Sequence, residues 1–282
     1  MLIRIGYDIA LRFSAPTTVI HLLHVHPSRR CDLVGPERLS ITPDLGVEEY
    51  HDEFANHRTR FSARAGTVHL FSEAIIRDSG QLDAYQPQAA QLDVSEIPMS
   101  ILKFLSPSRY CEVDSELMDF AWRTFGQARP GWERVQAICD FVHGHLRFDY
   151  QQARSNRTAL EVFTEQAGVC RDFAHLAITL CRCMNIPARY ATGYLGDFGV
   201  PPAPDPMDFS AWFEVYLDRQ WYAFDARHNC RRVGRVLIGI GCDASDVPIT
   251  ISFGQQSLDL FRVFTEEIDP IAVCDGLMAE AA

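Results

Sequence analysis
The sequence predicts an α+β protein in two parts, a β-rich, sandwich-like N-terminal domain over residues 1–112 and a core over 113–282 with C-terminal strands. Three observations predict it. The chain opens on a strict two-residue apolar alternation, the apolar period changes to that of a helix near Val113, and a cysteine-bearing helix is followed by a strand hairpin.

In the first part, Ile3, Ile5, Tyr7, Ile9, Leu11 and Phe13 alternate with Arg4, Gly6, Asp8, Ala10 and Arg12, the pattern of a half-buried strand. Further strands are expected over Thr17–Val25, Arg58–Arg64 and Thr67–Arg77, separated by turn-forming residues. His21, His24 and His26 crowd the second of these. Alternation sends neighbouring side chains to opposite faces, so they read as part of a half-exposed strand rather than a metal site.

In the second part, Asp114 or Ser115 caps a helix running through Leu117, Phe120 and Ala121. Over Gly131–Leu146, Val135, Ile138, Cys139, Val142 and Leu146 form one stripe, which predicts a core-facing helix. Thr158 and Glu161 have capping-box spacing, with Gly168 as the stop. An amphipathic helix follows over Cys170–Cys183, closed by Asn185 and Pro187. Strands are expected over Ala188–Leu195 and Ser210–Leu217, joined by the stiff, proline-rich stretch VPPAPDP at 200–206. The segment SAWFEVYLDRQWYAFD reads as a hairpin, with Asp218 paired to Trp221, and Arg235–Ile240 and Ser257–Thr265 are further strands.

Composition narrows the function. A net charge of -11 repels a nucleic-acid backbone or an anionic membrane surface. No apolar run is long enough to span a bilayer, and Met1–Phe13 lacks the blocks of a signal peptide, so a cytoplasmic location is expected. The nine cysteines are scattered without paired CxxC spacing, which argues against a disulfide framework or a zinc site. Neither a phosphate loop nor a calcium loop is present, so no cofactor and no metal are expected. The oligomeric state is left open.

Cys170 follows the glycine turn AGVC directly and begins a helix. Beside the unpaired N–H groups and the positive end of the helix dipole, its thiolate is favoured and a lowered pKa is expected. The stretches AGVCRDFAHLAITLCRCMNIPARYATGY and AWFEVYLDRQWYAFDARHN resemble the transglutaminase-like superfamily, the papain-like fold of bacterial cysteine proteases. The shared features are the Gly-x-Cys helix start, Ile-Pro-Ala-Arg followed by Gly-Tyr, the Ala-Trp strand start and a Trp-x-x-x-Asp strand. The resemblance spans residues 113–250 and, more weakly, the β-rich front. It implies that Cys170 is the nucleophile, that Asp225 orients the base, and that the reaction is thiol-mediated hydrolysis of, or acyl transfer from, a peptide or protein amide.

One position departs from the family pattern. The histidine expected before Ala-Trp is Ser210, and a serine hydroxyl is no proton acceptor at neutral pH. His175 lies five residues after Cys170, about 140° around the helix, and is rejected as a substitute. His228, three residues after Asp225, is the candidate base, provided the chain turns at Arg227 against the strand alternation. Asp208 and Glu214 read as solvated carboxylates. The alternative is a peptide-binding protein that has kept the cleft and lost the base.

Overall fold
The computed structural model describes residues 1–202 and 207–269; Cys274 and residues 203–206 of the proline-rich stretch lie outside the described residues. The N-terminal part contains β1 (Leu2–Phe13), β2 (Thr17–His21), β3 (Arg38–Thr42), β4 (Val47–His51), β5 (His57–Ala63) and β6 (Gly66–Arg77). After a long coil come α1 (Leu117–Phe125), α2 (Trp132–His145), β7 (Arg147–Phe148), α3 (Ala159–Glu165), β8 (Ala167–Gly168) and α4 (Cys170–Cys183). The chain then forms β9 (Ala188–Leu195), β10 (Ser210–Leu217), β11 (Gln220–Phe224), β12 (Arg235–Gly241), β13 (Thr250–Ser252) and β14 (Gln256–Ile268).

Two antiparallel sheets, ordered β14-β1-β6-β3 and β13-β2-β5-β4, make up the β-rich part, and a third, β11-β10-β9-β12, forms the core sheet. The C-terminal strands, grouped with the core on sequence, are added to the N-terminal sheets instead. β14 pairs with β1 from Leu2↔Ile268 to Phe13↔Gln256, and β13 pairs with β2. Apolar β1 has to be covered on both edges, and β6 covers only one of them. Only glycine fits at position 6, since a Cβ there would lie 2.2 Å from the ring of its β14 partner Phe264 and 2.3 Å from the Ser72 carbonyl of β6.

The three histidines of the front are buried, not half-exposed, because the sandwich closes over them. His21 is fully buried and neither of its ring nitrogens has a hydrogen-bond partner. Burial, assisted by His24 and His57, pushes its pKa down to about 3. His21 is therefore neutral in the fold while the unfolded chain binds a proton below its ordinary value of about 6.5, so stability falls as pH drops from there toward 3. The slope reaches about 1.4 kcal/mol per pH unit. His21→Phe should flatten this acid limb in urea titrations between those two pH values; an unchanged limb would show that His21 does not control it.

α4 packs against β9 and β10 on one side and α1, α2 and α3 on the other. Every residue from Asp172 to Cys183 is consequently buried, and the expected amphipathic helix is a central one. Its polar residues are matched internally rather than solvated, as Arg182 shows below. The capping box of Thr158 and Glu161 forms, but α3 ends at Glu165 with Gln166 in the left-handed region (φ 57°). Gly168 serves close packing, not helix termination, since a Cβ there would lie 2.6 Å from Asp172 Oδ2.

The β12 edge of the core sheet meets the N-terminal part. Buried Asn56 donates to the Ile240 carbonyl and accepts from its N–H, both at 2.8 Å. This pairing joins the β4–β5 connection to β12.

Candidate active site
Parallel pairing of β7 with β8 sets Gly168 opposite Phe148 and delivers the chain to the start of α4. Cys170 is the first residue of that helix. Asp172 ties the turn together: Oδ2 accepts from the Val169 N–H and from Arg157 Nη1, each at 3.0 Å. Cys170 is half-buried, and its thiol takes a hydrogen bond from the Ala211 backbone N–H.

Burial pushes the Cys170 thiol up to about 11, while the Arg227 guanidinium and the Ala211 N–H act in the opposite direction. The expected lowering is therefore not found. Desolvation of the half-buried sulfur outweighs the pull of the helix terminus toward a thiolate.

Asp225 follows β11 directly and is buried. The hairpin turns on Asp218 and Arg219, both at positive φ, with Leu217 paired to Gln220. This register differs by two residues from the expected pairing of Asp218 with Trp221. Strand alternation stops at Phe224, and the next residues form a turn closed by the Asn229 N–H to the Asp225 carbonyl at 2.8 Å. Asp225 Oδ1 accepts from the N–H groups of Arg227 (3.1 Å) and His228 (3.0 Å). The turn thereby returns the His228 ring to the carboxylate, and Nδ1 lies 2.9 Å from Oδ2. His143 supports the turn through a 2.9 Å contact of Nδ1 with the Arg227 carbonyl, and Arg227 stacks 3.7 Å over the Phe148 ring.

Although Asp225 is fully buried, its carboxyl is held well below the usual carboxylate range. Desolvation raises it, but the His228 hydrogen bond and the Arg235 charge outweigh that penalty. In a neutral ring whose Nδ1 donates to this carboxylate, the lone pair lies on Nε2. His228 and Ser210 line a cavity of about 160 Å³ together with Tyr150, Asp208, Phe209 and Arg227. Among the described residues no hydrogen bond joins the Cys170 thiol to an imidazole; it reaches β10 through Ala211, next to Ser210.

His175 is buried, its Nε2 accepts from the Ala244 N–H at 3.1 Å, and burial pushes its pKa down to about 3. It is thus committed to packing. Glu214 is paired with Arg189 at 2.6 Å rather than solvated, and Asp208 sits in the cavity wall. Of the other described cysteines, Cys111, Cys139, Cys181 and Cys183 are buried, and none is disulfide-bonded. His24, Glu49 and His57 bring ligand-type atoms within 4.8 Å of one another. Each ring nitrogen already has a protein partner: Glu37 and Thr59 for His24, Arg30 and Glu49 for His57. The two rings are stacked at 4.1 Å, so their in-plane lone pairs do not converge on one point.

Sequence reasoning missed Arg235, whose Nη2 reaches Asp225 Oδ2 at 3.1 Å, and Asp83, which receives Arg235 Nε at 2.9 Å. Asp83 lies far from the motif, and although Arg235 opens an expected strand, no local pattern pairs it with Asp225.

Helices packed on antiparallel sheets, with α4 set against β9 and β10, make this a transglutaminase-like fold. Residues 119–226 match the profile of the Transglutaminase-like superfamily. A crystal structure described as that of "a Putative Cysteine Protease from Cytophaga hutchinsonii" is 32% identical, with a TM-score of 0.82, over 95% of this chain and 91% of that one. An uncharacterized protein of Mycobacterium leprae (strain TN) is 23% identical over 221 residues, 74% of this chain and 77% of its own length. Another, of Mycobacterium bovis, is 27% identical over 147 residues, 49% of this chain and 46% of its own length. The chain belongs to the transglutaminase-like superfamily. No helix among the described residues is long and apolar enough to cross a membrane.

Proposed function
We propose that the protein is a cysteine-dependent hydrolase or acyl transferase acting on peptide or protein amides, with Cys170 as nucleophile, His228 as base and Asp225 as the group that orients it. The observation that carries this reading is the 2.9 Å contact between His228 Nδ1 and Asp225 Oδ2, in a cavity wall shared with Ser210. His228 thus stands in for the histidine the family pattern places at 210.

In this reading the sulfur attacks the amide carbon as His228 Nε2 takes the thiol proton. The first N–H groups of α4, which have no intrahelical acceptor, stabilise the oxyanion. Cleavage of the C–N bond returns the proton to the leaving amine, and water or another amine then resolves the thioester. The raised thiol pKa makes proton transfer part of the attack rather than a preceding equilibrium. Reaction of resting Cys170 with iodoacetamide is accordingly expected to be slow at pH 7 and to climb toward about 11, followed by mass spectrometry of the Cys170 peptide. Full-rate labelling at neutral pH would show that desolvation does not govern the thiol.

The direct test is hydrolysis of fluorogenic peptide amides by the wild type and by Cys170→Ala. Trapping of a Cys170 thioester supports the reading; turnover that survives the substitution sinks it. Ser210, together with the unionised thiol, favours a second reading, a peptide-binding protein without turnover. Peptide binding with no Cys170-dependent hydrolysis would select that one.

A further inference from the structure
We propose that Asp83 and Arg235 are positioning residues that hold the Asp225 carboxylate in register with His228, so that a segment from outside the core completes the site. The inference rests on the proposed roles of Cys170, Asp225 and His228. Arg235 Nη2 lies 3.1 Å from Asp225 Oδ2, the same oxygen that meets His228 Nδ1. Another edge of the guanidinium, through Nε, reaches both oxygens of Asp83, at 3.1 and 2.9 Å. The planar fork of arginine suits this geometry, since it fixes two carboxylates at a set angle.

The arrangement is enclosed. The side chains of Arg235, Asp83 and Asp225 are 7%, 13% and 1% exposed. The guanidinium lies 5.1 Å over the Trp212 ring, and its backbone carbonyl accepts from Arg29 Nη1 at 2.7 Å. Asp83 is itself held from two sides: its N–H donates to the Arg232 carbonyl at 2.8 Å, and its Oδ2 accepts from the Arg232 N–H at 2.9 Å.

Charge explains why both residues are needed. Burial favours the protonated form of Asp225, and a protonated Asp225 would donate to Nδ1 and fix the wrong tautomer of the imidazole. Arg235 supplies a cation that opposes this. A buried guanidinium facing Asp225 alone would pair with it and compete with His228 for Oδ2; Asp83 draws the guanidinium back and balances its charge. Asp83 lies in the coil between β6 and α1, beyond the N-terminal sheets. A change in how that coil sits on residues 231–235 would therefore reach the His228 ring through two contacts.

The test uses the full chain with Asp83→Asn, Arg235→Met and Arg235→Lys. The hydrogen-bonded proton between His228 Nδ1 and Asp225 is followed by NMR, assigned by its loss in His228→Gln, and its exchange with water is measured alongside kcat and KM. Asp83→Asn is expected to speed that exchange by about tenfold or more, as a locally opened hydrogen bond does, and to lower kcat with KM nearly unchanged. Arg235→Lys, a point charge that cannot span both carboxylates, should not restore the wild-type rate. Exchange within about twofold of wild type in Asp83→Asn overturns the inference. If Arg235→Met does not fold, Asp83→Asn still decides, because it keeps the shape of the side chain. Since proton exchange does not depend on turnover, hydrolysis that survives Cys170→Ala removes the proposed chemistry and leaves this result standing. Unchanged exchange in an enzyme that needs Cys170 removes the positioning role alone.

Discussion
Replacing His228 by alanine is expected to lower kcat for amide hydrolysis by about 10²- to 10⁴-fold, the range for loss of a positioned general base. Ser210→Ala should leave it within a few-fold. The asymmetry follows from the site: the His228 imidazole is held 2.9 Å from a buried carboxylate, whereas the Ser210 hydroxyl has no basicity to lose. Asp225→Asn should cost a comparable factor, because an amide supports the wrong tautomer of the ring. Steady-state kinetics of the three variants check this. Equal losses in Ser210→Ala and His228→Ala would transfer the proton-accepting role away from His228.

Arg182→Met is expected to destabilise the fold by about 3–5 kcal/mol, measured as a reduced urea midpoint, because it strips partners from buried acceptors at several places at once. Arg182 is 1% exposed and lies on central α4. Its guanidinium donates to the carbonyls of Ser106 (3.0 Å), Ala188 (2.9 Å) and Cys242 (2.6 Å) and to Ser108 Oγ (3.1 Å). The residue thus ties the coil before α1, the start of β9 and the loop after β12 to one helix. Methionine fills much of the volume and supplies none of the donors. A loss below about 1 kcal/mol would mean that water or a rearranged chain satisfies those carbonyls.

Local signals in the sequence carried far. The alternation from Ile3 to Phe13 marked β1, and the bounds of α4, β9 and β10 coincide with the expected ones. β4 escaped because all its residues are exposed and carry no apolar alternation, and β3 because its alternation is limited to Leu39 and Ile41. The hairpin was recognised but set two residues out of register, since Asp218 and Arg219 adopt the left-handed turn without the glycine or asparagine that usually signals it.

The site divides along the same line. The resemblance of the two motif stretches to the transglutaminase-like superfamily singled out Cys170 and Asp225, and the pair Asp225–His228 was reachable because three residues of one turn link them. Sequence could not weigh the burial of the thiol against the helix terminus, because desolvation depends on segments distant in sequence that pack around the sulfur. Nor could it find Asp83 and Arg235, separated by about 150 positions and joined by contacts at 2.9 and 3.1 Å. What the chain determined by itself is local: the helix start at Cys170, the hairpin and the turn that carries His228, each encoded by neighbours in sequence. What tertiary structure decided is the electrostatics, the raised thiol and the ionised, clamped Asp225, because charge and desolvation act through space between segments that no local pattern relates.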